Sequence, residues 1–300
     1  MRRLFELVRV FLTPSAPADS IAGYAVAVAG FGGFDAARLA WVVATSVFLY
    51  WFGMATNDIF DRDKDRELAP FKPLASGRID VREASIVASA LAALALATSW
   101  LAGAFLPAVA ILVLAVAYNV GGKRIPVLGN LLMGSCRAGN FLLGATAVAG
   151  LKDCLESPGL LVASGIVGLF VAGITAVSVL EDRRFRAWQF HTLATPLLAV
   201  PLALGAWQAH SPYGWLNSVA LLWLLLRTQR RAAAQTTSVH PAAVYVRTAL
   251  GGIFLVDAGL IWAFSPPQPI LYAAPIALYS LALLGWWWKR RWLQSGGPDT

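Results

Sequence analysis

Apolar residues form long runs along this chain, and short polar stretches separate the runs. A helix needs about 20 apolar residues to cross roughly 30 Å of hydrocarbon, which is the length of most of these runs. The pattern therefore predicts an all-α integral membrane protein with about ten transmembrane helices. The predicted spans are residues 18–33, 37–56, 84–104, 106–120, 127–149, 159–181, 192–209, 214–227, 243–264 and 270–288.

The stretches outside the spans are short, so residues 1–300 are predicted to form a single polytopic membrane domain. Residues 1–14 are amphipathic and precede the first span, which is typical of an interfacial helix. The largest polar insert, 57–82, is predicted to be a cytoplasmic loop, and 294–300 a flexible tail. Polar inserts follow both the second and the sixth span, which indicates two related four-helix halves followed by C-terminal helices.

The charges support this reading and set the orientation. Hydrophobic residues make up 58% of the chain and charged residues 13%, about half the charged share of a soluble domain. The net charge of +8 does not indicate nucleic-acid binding, because the charges lie in short clusters between apolar spans. With a cytoplasmic N-terminus, only Arg38 and Lys152 among the loop cations fall outside. The positive-inside rule thus predicts that both termini are cytoplasmic.

The strongest chemical signal follows the second span. On a helix, Asp58, Asp61 and Asp65 share one face, and Asn57 pairs with Asp61. Clustered carboxylates repel one another unless a cation lies between them, and hard oxygen ligands favour Mg²⁺. The alternative is a solvated loop of mixed charge. Nearby basic residues can take the charge of a diphosphate: Arg62, Lys64, Arg66, Lys72 and Arg78.

Residues 57–65 resemble the first aspartate-rich motif of the UbiA superfamily of intramembrane prenyltransferases. Residues 72–78 resemble the family's Arg-Pro-x-x-Ser-Gly stretch, with Lys72 in place of arginine, and 118–123 resemble its tyrosine-to-lysine motif. Residues 134–140 are similar to the fifth-span segment, especially in the UbiA-like proteins of bacterial Ebo-type gene clusters. The resemblance extends to about residue 230.

The resemblance implies a UbiA-type helical bundle, open laterally to membrane lipid, in the bacterial cytoplasmic (inner) membrane. The substrates it implies are a prenyl diphosphate and a lipophilic, commonly aromatic, acceptor, with Mg²⁺ as the cofactor. Asp58, Asp61, Tyr118 and Lys123 are the implied catalytic residues. The first metal site would consist of Asn57, Asp58, Asp61 and Asp65. The residues implied to bind substrate are Asn57, Lys72, Arg78, Asn119, Arg137 and Ser178.

The second aspartate-rich motif departs from the family pattern. Ser178 stands where a metal-binding aspartate is expected, and it is followed by Glu181 and Asp182. These two acids are predicted ligands of a second Mg²⁺, or else helix-end partners of Arg184 or Arg186. Two functions follow. The first is Mg²⁺-dependent prenyl transfer at the cytoplasmic face, and the alternative is a catalytically degenerate relative that binds or translocates an amphipathic metabolite.

Two charged residues lie deep inside predicted spans, Arg137 in the middle of the fifth and Asp257 in the ninth. A charge at the centre of a membrane helix costs at least about 2.5–3.5 kcal/mol, so each is expected to face the bundle interior. Arg137 is predicted either to reach the diphosphate or the second acidic cluster, or to form a buried ion pair, with Asp257 as a candidate partner. Asp257 is interpreted as structural.

Overall fold

The computed structural model describes residues 2–181, 184–207, 212–234, 240–264 and 273–284. The described residues contain no β-strand. Three short 3₁₀ turns, Val10–Leu12, Gly122–Arg124 and Thr195–Leu198, connect some of the helices. The α-helices are α1 (Arg2–Leu7), α2 (Ser15–Phe31), α3 (Ala36–Leu68), α4 (Val81–Ala102), α5 (Phe105–Val120), α6 (Pro126–Ala149), α7 (Leu151–Glu156), α8 (Pro158–Ser178), α9 (Ala187–Ala194), α10 (Ala199–Trp207), α11 (Pro212–Ala233), α12 (Pro241–Phe264) and α13 (Ala273–Leu284).

The all-α membrane fold predicted from the apolar runs is confirmed. Within the described residues, α3, α4, α8 and α12 are each long and apolar enough to cross a membrane. The predicted seventh span is not one helix, because it divides into α9, a 3₁₀ turn and α10. Pro196 lies in that turn, and a proline removes a helical hydrogen bond and clashes with the preceding turn. The count of ten crossings stays a prediction.

The first half of the polar insert after the second span, Asn57–Leu68, is helical, and only the part from Ala69 to Asp80 is a loop. α3 begins at its N-cap Asp35, whose carboxylate accepts from the backbone N–H groups of Ala37 and Arg38, and it continues without a break to Leu68. It ends directly before Pro70, as expected because a proline disfavours helical geometry in the residue before it. The aspartates therefore stand on a rigid extension of a transmembrane helix.

The N-terminal segment predicted as one interfacial helix is divided into α1 and a 3₁₀ turn. Arg9 joins the two with φ 51° and ψ 53°, in the left-handed region. That conformation costs about 1–2 kcal/mol for a residue other than glycine. This arrangement packs α1 against α3. Leu7 lies in a core cluster with Phe52 and Leu74. The predicted tail, 294–300, lies outside the described residues.

Close packing between α2 and α6 forms the centre of the bundle. A Cβ atom added to Gly23 would collide with the backbone of Phe141, and one added to Gly144 would collide with the backbone of Ser20. Such small residues allow two membrane helices to approach closely. α6 also packs along α8, and α12 packs against both α2 and α8. The polar groups of α2, α6 and α12 are thereby brought together in the interior.

Candidate functional site

The cytoplasmic end of α3, defined here as Asn57–Asp65, presents its carboxylates to cations from three other parts of the chain. Lys72 Nζ lies 2.7 Å from Asp65 Oδ2 and 3.8 Å from Asp58 Oδ1. Arg9 Nη2 donates to Asp58 Oδ1 at 3.1 Å. The Asp58 side chain is only 3% exposed, so its charge has little contact with water. One ammonium group thus already reaches two of the three aligned carboxylates.

The third carboxylate is held by the turn between α5 and α6. Lys123 Nζ lies 2.6 Å from Asp61 Oδ2 and donates to Asn57 Oδ1 at 3.0 Å. Both partners of Lys123 belong to α3, and Asn57 precedes Lys123 by 66 residues. The prediction that Asn57 and Asp61 act as a helical pair agrees with their shared contact to one ammonium. The sequence motifs that begin at residues 57 and 118 therefore meet at one place.

Asn119 fixes the end of α5 against α3. Its Nδ2 donates to the Gly53 carbonyl at 3.2 Å and to Thr56 Oγ1 at 2.9 Å. Asn119 Oδ1 is buried, and no described residue hydrogen-bonds to it. Tyr118, the preceding residue, is half-buried and interacts electrostatically with Asp61. Asn119 thus positions the helix end that carries Tyr118, while its predicted contact with substrate stays a prediction.

Arg78 occupies a different position from the other predicted phosphate ligands. Its Nη1 donates to Glu6 Oε2 at 2.7 Å, and its Nη2 donates to the Phe71 carbonyl at 2.6 Å. These contacts tie α1 to the turn that carries Lys72. Arg62 and Arg66 both pair with the exposed Asp63. In the described structure Arg78 therefore supports the Lys72 turn, and its predicted contact with phosphate remains untested.

The second acidic motif follows the end of α8. Ser178 is the last residue of α8, and its Oγ donates to the Thr175 carbonyl at 2.8 Å. Glu181 is half-buried in the turn that follows. Asp182 lies outside the described residues. The roles predicted for Ser178, Glu181 and Asp182 in binding substrate or a second metal ion stay predictions.

The buried partner of Arg137 is Asp19 on α2, not Asp257. Arg137 Nε lies 2.7 Å from Asp19 Oδ2, and Arg137 Nη2 donates to Asp19 Oδ1 at 2.9 Å and to the Ser15 carbonyl at 2.7 Å. Asp257 instead lies against Asp19. The sequence signal for Asp19 was a carboxylate inside the first predicted span. Arg9 offered no such signal, because it lies among the cations of an amphipathic segment.

The acidic end of α3 fits a magnesium ion that is shared with a substrate. Within the described residues, no three Asp, Glu, His or Cys side chains form a group that could hold a metal ion unaided. Asp58 and Asp65 nevertheless both approach the single cation of Lys72. Mg²⁺ binds through one or two carboxylates and completes its shell with water and substrate phosphates. The donors present suit such a joint site rather than a cage made by protein alone.

The charges at this site balance without any ligand. Three carboxylates, Asp58, Asp61 and Asp65, are contacted by three cations: Arg9, Lys72 and Lys123. A diphosphate alone would meet carboxylates that repel it. A divalent cation that entered with the diphosphate would offset that repulsion and leave the three basic side chains available to the phosphate oxygens.

Comparisons with known proteins place this geometry in context. The model of the UbiA prenyltransferase family matches residues 20–248. A digeranylgeranylglyceryl phosphate synthase from Natronomonas pharaonis is 34% identical over 155 residues, which cover 50% of this chain and 54% of that protein's length. An apo UbiA homologue from Aeropyrum pernix K1 superposes with a TM-score of 0.65 at 23% identity, covering 83% of this chain and 96% of that one. A UbiA homologue from Archaeoglobus fulgidus bound to DMAPP and Mg²⁺ superposes with a TM-score of 0.63 at 16% identity, covering 93% of this chain and 99% of that one.

Proposed function

Because the chain belongs to the UbiA prenyltransferase family, we propose that it transfers a prenyl group from a Mg²⁺-bound prenyl diphosphate to a lipophilic acceptor. The observation that carries the proposal is the acidic end of α3, whose three carboxylates are each contacted by a cation from another element. A relative named digeranylgeranylglyceryl phosphate synthase and a fold neighbour bound to DMAPP and Mg²⁺ support it. Asp58 and Asp65 would hold the metal ion together with the diphosphate.

The basic side chains of the site then exchange partners when substrate binds. Lys72 leaves Asp58 and Asp65, Lys123 leaves Asp61, and both ammonium groups turn to phosphate oxygens. Bound Mg²⁺ supplies electrostatic stabilisation of the diphosphate leaving group. The basic side chains act on the same charge, which grows as the bond breaks, so they favour the transition state over the bound substrate. Tyr118 interacts electrostatically with Asp61, and its phenol would donate to a phosphate oxygen.

The overall reaction exchanges one bond at the first prenyl carbon. The bond from that carbon to the diphosphate oxygen breaks, and its electron pair leaves with the oxygen. A nucleophilic atom of the acceptor forms the new bond to the same carbon and loses its proton to the released diphosphate or to water. A water-poor interior protects the prenyl cation from hydrolysis, and the apolar helices around α3 provide one.

The proposal also includes the class of acceptor and the membrane face at which the reaction takes place. The resemblance favours an aromatic acceptor, although any lipophilic nucleophile that enters from the lipid fits the same chemistry. The chemistry would take place at the cytoplasmic face of a bacterial inner membrane, with both termini in the cytoplasm, as the distribution of Lys and Arg indicates. The kinship with UbiA-like proteins of Ebo-type gene clusters stays a prediction from residues 134–140.

One observation favours a second function, the binding or translocation of an amphipathic metabolite without catalysis. Ser178 occupies the position expected of an aspartate, and its hydroxyl already donates to the Thr175 carbonyl. A second metal ion would therefore have fewer ligands than the family pattern provides. A relative that retains the acidic end of α3 but lacks the second site would bind a prenyl diphosphate without transferring it.

A turnover measurement distinguishes the two functions. The full chain, reconstituted in lipid nanodiscs, is incubated with a prenyl diphosphate, Mg²⁺ and a bacterial lipid extract, and released diphosphate and prenylated lipids are measured. We expect Mg²⁺-dependent release that the Asp58→Asn, Asp61→Asn double variant abolishes. The matched control is Asp63→Asn, because Asp63 lies on the same helix but is exposed and pairs with Arg62 and Arg66. Mg²⁺-dependent binding without release would establish the second function, and absence of both would refute the two together.

A further inference from the structure

A polar cluster unrelated to the end of α3 lies inside the bundle, where α2, α6 and α12 meet. It consists of Asp19 from α2, Arg137 and Asn140 from α6, and Asp257 from α12. Arg137 binds Asp19 at 2.7 and 2.9 Å, and Asn140 Nδ2 reaches Asp19 Oδ2 at 3.4 Å. Asp257 lies against Asp19, and both aspartates have an exposed fraction of 0%. Two carboxylates thus meet in a place that is closed to solvent.

Among the described residues, the cations around this cluster do not balance its charges. Arg137 is the cation that acts on both carboxylates. α8, which packs against α2, α6 and α12, carries no ionisable side chain in its sequence. Arg247 shares α12 with Asp257 but precedes it by ten residues, which is about 15 Å along a helix. Tyr50 of α3 interacts with Arg137 and adds no positive charge.

The negative charge that has no partner in this cluster lies on Asp257. Among the described residues, no N–H or O–H group donates a hydrogen bond to Asp257 Oδ1 or Oδ2. An ionised, buried carboxylate without a donor is far more costly than a neutral one. Two adjacent carboxylates avoid this cost when one proton lies between them. A metal cation needs several oxygen ligands, and both Asp19 oxygens already face Arg137 or Asn140.

We propose that Asp19 and Asp257 form a proton-binding site in which the two carboxylates share one proton in a hydrogen bond across the α2–α12 interface. Asp257 is then the carboxylic acid that donates, and Asp19 is the carboxylate that accepts while it remains paired with Arg137. The shared proton joins α12 to the α2–α6 pair and makes the cluster neutral. This site goes beyond prenyl transfer and does not depend on it.

Infrared spectroscopy of the full chain in nanodiscs tests the site directly. A protonated carboxylic acid has a carbonyl stretching band that an ionised carboxylate lacks. We expect this band at pH 7 in wild type and its loss in Asp257→Asn, where Asp19 remains ionised beside Arg137. Asp153→Asn is the matched control, because Asp153 is exposed on α7 and its replacement should leave the band unchanged. A wild type without the band, or Asp257→Asn with the full band, would overturn the proposal.

Thermal unfolding of wild type and Asp257→Asn gives a second, independent test. In the unfolded chain an aspartate releases its proton above about pH 4, whereas the folded site retains one. The folded state then binds more protons than the unfolded state, so stability is greatest at low pH and decreases as pH rises. We expect the apparent melting temperature of wild type to fall between pH 5 and pH 8 more steeply than that of Asp257→Asn. Equal slopes, or a melting temperature raised by Na⁺ in wild type but not in Asp257→Asn, would contradict a shared proton.

Discussion

Lys123 offers the sharpest test of partner exchange at the end of α3. Its ammonium contacts Asp61 at 2.6 Å and Asn57 at 3.0 Å, and it brings a positive charge from the α5–α6 turn to the end of α3. The Lys123 and Asp61 side chains are only 15% and 19% exposed, so solvent screens their charges little. Replacing Lys123 with methionine removes the charge and keeps most of the side-chain volume.

The structure sets the size of the expected effect. If Lys123 turns to a phosphate oxygen when substrate binds, the variant loses a hydrogen bond to a charged group, which contributes about 1.5–3 kcal/mol. Since about 1.4 kcal/mol corresponds to a tenfold change in affinity, Lys123→Met should weaken binding of a prenyl diphosphate roughly 10- to 140-fold. The loss should be greater without Mg²⁺, because Asp61 then has no cation and repels the diphosphate.

Isothermal titration calorimetry of the purified chain with a prenyl diphosphate measures this change. Lys64→Met is the matched control, because Lys64 lies on the same helical extension as Asp61 but its side chain is exposed. The affinity of this variant should stay within about twofold of wild type. A melting temperature close to that of wild type shows that each variant is folded. If Lys123→Met binds as tightly as Lys64→Met, Lys123 does not move to the phosphate and partner exchange is wrong.

Three further predictions concern packing, the second acidic motif and topology. Gly144→Ala should lower the apparent melting temperature by several degrees, since overpacking costs about 1–3 kcal/mol, whereas Gly165→Ala should not, because no atom lies within 4 Å of its added Cβ. If Glu181 and Asp182 bind a second Mg²⁺, the Glu181→Gln, Asp182→Asn double variant should lose turnover far more than affinity, and unchanged turnover would show that they are not metal ligands. Reporter fusions should give cytoplasmic signals at positions 70, 187 and 236 and external signals at 153 and 211, and an external signal at 236 would refute the topology.

The sequence predicted the helices well because hydrophobic run length is a local property. α2, α4 and α12 begin and end within three residues of the predicted spans. The seventh span failed because Pro196 interrupts an apolar run without lowering its hydrophobicity. The insert after the second span was interpreted as a loop because it is polar, yet no helix-breaking residue occurs in it before Pro70. Polarity alone does not end a helix when the chain leaves the membrane.

The site was predictable to the extent that its residues lie on one helix. The spacing of Asp58, Asp61 and Asp65 placed them on one face, nearness in sequence added Lys72, and the resemblance added Lys123. Arg9 and Asp19 were missed because their partners are distant in sequence, 49 and 118 residues away. One sequence cannot tell which helices are neighbours, so Asp257 was considered for Arg137 when α2 in fact supplies Asp19.

The central claim is that the acidic end of α3 binds a prenyl diphosphate through Mg²⁺, and one titration tests it most directly. A prenyl diphosphate is titrated into wild type, Asp58→Ala and Asp61→Ala, each with saturating Mg²⁺ and again with EDTA. We expect wild type to bind tightly only with Mg²⁺, and both variants to bind weakly in either condition. Asp58→Ala loses a ligand of the metal ion, and Asp61→Ala loses the carboxylate that holds Lys123 at the site. Equal affinity of wild type with Mg²⁺ and with EDTA, or variants that retain the Mg²⁺ dependence of wild type, would contradict the account.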